Sequence, residues 1–134
     1  MAEALLNSYD LTIYSWGALA LLMLIQLIVA DIIGIKARHV PGTPPEQNHA
    51  DPLFRASRVV GNTNESLGIY LILALFCIFN GADATNTAYL SWAYVVGRAA
   101  YAFCYYFNKP TLRSVMFGIT LLVLIGMLVV GFVG

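Results

Sequence analysis

Charge is scarce in this chain: 10% of its 134 residues are Asp, Glu, Lys or Arg, seven basic against seven acidic, while 60% are hydrophobic. That balance excludes a disordered segment, and the absence of any basic excess argues against a nucleic-acid partner. Cysteine is nearly missing too. Cys77 and Cys104 are the two present, and helical rise places them on the order of 27 Å apart in depth, too far for a bridge within one chain. They read as small apolar residues. The two histidines, His39 and His49, stand in a polar segment without a CxxC or HExxH context, so no metal site is expected. Proline is confined as well, with four of the five between Val40 and Pro52. Helices elsewhere are left uninterrupted.

What the chain has in abundance is apolar sequence. Stretches at about Ile13 to Ile35, Leu53 to Phe79, Ala88 to Phe107 and Leu112 to Val133 each reach the roughly 20 residues that span a bilayer. The expected fold is an all-α integral membrane protein, a single four-transmembrane-helix domain over residues 1–134. The first stretch has no preceding Lys or Arg and runs too long for a signal peptide, so it is expected to be retained. Lys36, Arg38, Arg55, Lys109 and Arg113 flank the first and third connections, whereas the second, Asn80 to Thr87, holds Asp83 and no basic residue. The positive-inside rule then puts the first and third loops in the cytoplasm and both termini opposite. The hydrophilic first connection, Val40 to Pro52, is long enough to be ordered over a site. Lys109 and Pro110 mark the next turn, with Pro110 suited to open the last helix.

Two of the apolar stretches carry polar stripes. Arg58, Asn62 and Glu65 are spaced i, i+4, i+7, and Arg98, Tyr101 and Tyr105 are spaced i, i+3, i+7, so each trio lies along one helix face. Ionisable residues at membrane depth are costly and point to function. Counted from the loops, Glu65 and Arg98 each lie roughly 15 to 16 Å from the cytoplasmic end, which predicts an ion pair within a subunit or across an interface. Such a pair serves either helix register or a site. Nearer the cytoplasm Arg58, Lys109, Arg113 and Lys36 or Arg38 converge on Asn62, Tyr101 and Tyr105. A surplus of positive charge beside planar and hydroxyl donors suits a small polar anion from the cytosol, next to an apolar acceptor from the bilayer. Snorkelling to lipid headgroups is the alternative for Arg58 and Lys109. Asp31, near Lys36, pairs with it, snorkels or takes part in catalysis.

Arg55-x-x-Arg58-x-x-x-Asn62-x-x-Glu65, followed by Arg98-x-x-Tyr101-x-x-x-Tyr105 and Arg113, resembles the superfamily of membrane-associated proteins in eicosanoid and glutathione metabolism (MAPEG), in particular its microsomal glutathione transferases and leukotriene-C synthase. The resemblance implies a homotrimer of four-helix subunits, twelve helices in all, binding glutathione between neighbouring subunits on the cytoplasmic side. It assigns glutathione contacts to Arg58, Asn62, Glu65, Arg98, Tyr101 and Tyr105, with Lys36 or Arg38 meeting a glutathione carboxylate from the end of the first helix. It makes Arg113 the arginine that stabilises the glutathione thiolate, with Ser114 as a helper or simply a helix N-terminal residue. No metal is implied.

Some positions depart from the family pattern. Phe54 stands where an acidic residue often precedes the first arginine, Gly68 near a frequent proline, and Phe117 in place of a tyrosine of the prostaglandin synthase. Prostaglandin isomerisation is therefore not expected. The expected function is a glutathione-dependent membrane transferase or peroxidase acting on lipophilic electrophiles or lipid hydroperoxides. A non-catalytic lipid-binding protein of the same family is the second reading; a small transporter is a third, disfavoured by the absence of a repeat. The lack of a retention signal at Gly134 points to a bacterial cytoplasmic membrane.

Overall fold

The computed structural model describes residues 1–134 and is entirely helical. A short α1 (Ala2–Ser8) precedes four long helices: α2 (Asp10–Lys36), α3 (Pro52–Phe79), α4 (Ala84–Tyr106) and α5 (Pro110–Val133). Each expected stretch falls on one long helix, and capping chemistry sets the true ends. Asp51 accepts the Leu53 N–H at 2.9 Å with Pro52 opening α3, and Asp83 accepts the Asn86 N–H at 2.8 Å, starting α4 at Ala84 rather than Ala88. Three C-termini close by one device, a left-handed residue followed by a backbone bond reaching back into the last turn. Arg38 (φ 55), Gly81 (φ 71) and Asn108 (φ 54) occupy these positions, and the N–H groups of His39, Ala82 and Lys109 donate to the carbonyls of Gly34, Cys77 and Cys104. Gly and Asn tolerate that conformation; at Arg38 it costs about 1 kcal/mol.

Composition sets one of the four long helices apart. By length and hydropathy α2, α3 and α5 qualify as membrane spans, but α4 does not. Thr85, Asn86, Thr87, Ser91 and Arg98 lower its apolar content, and Thr87, Ser91 and Arg98 are buried against the other helices. The short α1, which buries none of its residues, is absent from the sequence expectations. Tyr9 ties it down by donating its hydroxyl to the Ala82 carbonyl in the α3–α4 turn.

All four long helices contribute to one core: Leu19, Tyr70, Ala74, Tyr94, Val95, Val123, Leu124 and Met127. Tyr70 and Tyr94 stack at 4.1 Å with planes 5° apart, and their hydroxyls meet Ser15 at 3.0 Å and Ser66 at 2.7 Å. This polar lock joins α2, α3 and α4 where lipid offers no competing partner. The outer faces carry exposed Leu21, Leu24, Ile28, Ile72, Leu122 and Phe132, a surface suited to lipid.

Small residues let the backbones approach. A Cβ on Gly131 would sit 2.5 Å from the Phe76 ring, and the Gly131 carbonyl accepts Asn80 Nδ2 at 2.7 Å. Gly131→Ala is therefore expected to destabilise the α3–α5 contact by about 1–3 kcal/mol. Gly68→Ala, with open space around its Cβ, is the control. Thermal unfolding in detergent should show a lower midpoint for Gly131→Ala alone; equal midpoints would mean that Phe76 yields freely.

Candidate functional site

Apart from Arg58, which lines neither cavity, the residues of the predicted stripes face two adjoining cavities at the end of the bundle bearing the 40–51 connection. Asn62 from α3, Tyr101 and Tyr105 from α4, and Arg113, Ser114 and Phe117 from α5 line a pocket of about 300 Å³. A second cavity of about 160 Å³ continues deeper and includes Asn62, Glu65, Ser66, Arg98 and Phe117. Asn62 and Phe117 border both. Helical periodicity accounts for the α3 and α4 contributions, and the tight Phe107–Lys109 turn brings Arg113, one turn into α5, back over the end of α4.

Aromatic faces and guanidinium groups alternate along the site. The Arg98 guanidinium lies 4.3 Å from the centre of the Tyr101 ring, Tyr101 meets Tyr105 edgewise at 5.5 Å, and the Arg113 guanidinium lies 4.6 Å from the centre of the Tyr105 ring. Stacking over aromatic faces holds a guanidinium in place while leaving its in-plane N–H groups free for a ligand. Arg113 has no carboxylate within ion-pair distance and is half-buried. It is a fixed cation without a counter-charge in the chain.

The expected Glu65–Arg98 pair does not form within the subunit. Glu65 instead meets Arg58 on its own helix, Nη2 to Oε1 at 3.4 Å, with side-chain exposures of 60% and 37%. Spacing of i, i+7 aligns the two on one stripe, and the long Arg58 side chain reaches along it. Arg98 is fully enclosed and gives Nη2 to Thr63 Oγ1 at 3.1 Å, leaving Nε and Nη1 without a partner. The Asn62 Oδ1 is also buried and unpartnered, while its Nδ2 approaches Glu65 at 3.5 Å. The pocket thus carries unused donors and an unused acceptor, the condition under which a polar ligand binds.

Lys36 and Arg38 stand apart. Both are exposed at and beyond the end of α2, and neither lines the two cavities. Asp31 lines a different depression of about 490 Å³ with Gly34, His39, Pro41, Pro45 and Ser57. Ser114 borders the pocket, but its hydroxyl donates to the Pro110 carbonyl one turn back at 3.1 Å, the usual intrahelical bond of a serine past the first turn. Cys77 and Cys104 are free thiols; Cys77 is buried, its Sγ 3.3 Å from the Met127 carbonyl.

Two site residues escaped the sequence reading. Thr63, adjacent to Asn62, is the only hydrogen-bond partner of buried Arg98. His49, considered there only as a metal ligand, places Nε2 at 3.1 Å from the Tyr105 hydroxyl. The signal for His49 was its place two residues before the Asp51 cap, which fixes it at the start of α3 beside the end of α4.

These features define a helical membrane protein with a guanidinium- and phenol-lined pocket at one end of its bundle. The sequence model of the MAPEG family matches residues 12–133, and the chain belongs to that family of membrane proteins concerned with glutathione and eicosanoids. No curated protein and no solved structure matches it.

Proposed function

We propose that this protein is a glutathione-dependent membrane transferase or peroxidase. The observation that carries the reading is Arg113: a cation stacked on Tyr105, facing Asn62 and Tyr101, with no acidic partner in the chain. A guanidinium so placed favours the thiolate of a bound thiol over the thiol, and the thiolate is the nucleophile. Its sulfur attacks a lipophilic electrophile to form a thioether, either displacing a leaving group that departs with its bonding pair or adding to an activated double bond whose carbanion then takes a proton from water. With a lipid hydroperoxide it attacks the O–O bond, yielding the alcohol and a sulfenic acid that a second thiol converts to disulfide and water.

The residues present suit glutathione itself. Arg58 and Arg98 offer charge-assisted hydrogen bonds to its carboxylates, Asn62 offers both a donor and an acceptor to its amides, and the Tyr hydroxyls complete the polar wall. The pocket is open on one side, and Lys36 and Arg38 lie outside it. A homotrimer explains both, with a neighbouring subunit closing the pocket and bringing its own α2 end to the ligand. In that assembly α4 crosses the bilayer as the fourth span of each subunit. The connections at 37–51 and 107–109 face the cytoplasm, and the lipophilic acceptor enters from the lipid side.

Equilibrium binding of glutathione to the purified protein in mild detergent tests the reading, followed by conjugation to a generic electrophile. Binding with turnover is expected. Absence of binding at millimolar thiol would overturn it, and binding without turnover would favour the non-catalytic lipid-binding reading. Arg58→Ala should weaken glutathione binding by about 1.5–3 kcal/mol through loss of a charge-assisted bond. Unchanged affinity would assign Arg58 to lipid headgroups and to Glu65 alone.

A further inference from the structure

The polar connection between α2 and α3 does not merely return the chain. Its final residues are pinned: Asn48 Oδ1 accepts the Ala50 N–H at 3.0 Å, Asp51 caps α3, and Arg55 Nη1 donates to the His49 carbonyl at 2.7 Å. This Asx-type turn and its arginine strut hold the His49 backbone in one place. The His49 ring is then fixed between two aromatics, edge-on to Phe54 at 4.9 Å and inclined 21° to Tyr105 at 6.0 Å, with Nε2 at 3.1 Å from the Tyr105 hydroxyl. Tyr105 has no other hydrogen-bond partner in the chain, and its side chain is otherwise enclosed.

We infer that His49 is a positioning residue of the pocket: it sets the direction of the Tyr105 hydroxyl and latches the 40–51 connection to the end of α4 beside the site. A phenolic hydroxyl has one hydrogen and two acceptor sites, and it rotates to suit whichever partner is available. Engagement by His49 uses one of these in advance, so the rest point to the pocket that Tyr105 shares with Asn62, Tyr101 and Arg113. Arg113 holds the face of the same ring, and His49 holds its hydroxyl end. Tyr105 is thereby fixed from two elements, neither of which is its own helix. The inference rests on the reading of this pocket as a glutathione site only where ligand affinity is concerned; the latch itself does not.

Four variants of the full chain in mild detergent separate the possibilities: His49→Phe, His49→Gln, Tyr105→Phe, and His49→Phe combined with Tyr105→Phe. Phenylalanine keeps the ring packing and removes the nitrogen, and glutamine restores a side-chain hydrogen-bonding group. The ligand-free readout is cleavage after Glu46, within the connection, by a glutamate-specific protease. His49→Phe and Tyr105→Phe are each expected to speed cleavage by about 3- to 10-fold, the equivalent of one hydrogen bond. The double variant should be no faster than either single one, and His49→Gln should stay within about 2-fold of the parent. Glutathione should bind His49→Phe about 3- to 10-fold more weakly, with kcat at saturation nearly unchanged and affinity recovered in His49→Gln. Unchanged cleavage in both single variants would overturn the latch, and additive effects in the double variant would overturn its action through Tyr105. If the parent protein binds no glutathione while cleavage follows the expected pattern, the latch stands and the glutathione reading falls.

Discussion

Arg113→Leu is expected to lower the turnover of glutathione with a lipophilic electrophile by about 10²-fold or more, the usual effect of removing a fixed donor aimed at developing or resident negative charge. Binding should weaken much less, because the guanidinium interacts most strongly with the ionised sulfur and only weakly with the neutral thiol. The ultraviolet absorption of bound thiolate should disappear with it. Part of the effect passes through Tyr105, since the substitution also removes the cation from that ring's face, 4.6 Å from its centre. That contact is worth about 0.5–1 kcal/mol at a partly exposed site, too little to account for the full loss. Arg113→Lys separates the two contributions: the charge remains while the planar fork and its stacking are lost, so a partial thiolate signal is expected. An Arg113→Leu protein that binds glutathione and retains both rate and thiolate absorption would make Arg113 an anchor for the start of α5.

Helical periodicity alone made the pocket legible, because side-chain direction along a helix follows from spacing. Asn62, Tyr101 and Tyr105 were placed on converging faces by counting, and Pro110 fixed where α5 begins and hence where Arg113 stands. Rotamers and loops were not legible in the same way. Position predicted that Glu65 and Arg98 lie at one depth, and they do border one cavity, yet the acid turns to Arg58 and the base to Thr63. Depth and face restrict which residues are available as partners; the choice among them depends on side-chain reach, which a spacing rule does not contain. The start of α4 was set by the Asp83 cap and not by the apolar pattern, so it lay earlier than hydropathy placed it. His49 reaches Tyr105 through a connection of irregular backbone, where no period exists to be read.

Arg98 presents a conflict between stability and binding, and Arg98→Met should expose it. The guanidinium is 0% exposed, donates one hydrogen bond, to Thr63 at 3.1 Å, and leaves two nitrogens unpartnered. Its contact with the Tyr101 face at 4.3 Å offsets only part of the cost of removing a charge from water. Methionine is unbranched, flexible and able to fill much of the same space, and replacing a poorly compensated buried charge with an apolar side chain is commonly neutral or stabilising by about 1–4 kcal/mol. Arg98→Met should therefore unfold at the same or a higher temperature in detergent, while glutathione binding falls by at least 10-fold through loss of a charge-assisted hydrogen bond of about 1.5–3 kcal/mol. Arg98→Ala should instead lose stability, since it leaves a void among α3, α4 and α5. Glu65→Gln supplies the complementary test: with Arg58 as its partner in the chain, it should free Arg58 and weaken binding while leaving the unfolding temperature nearly unchanged. A lower unfolding temperature for both Arg98→Met and Glu65→Gln, accompanied by dissociation of the proposed trimer, would overturn this expectation. It would mean that the two charges meet across a subunit interface and that Arg98 holds the assembly together.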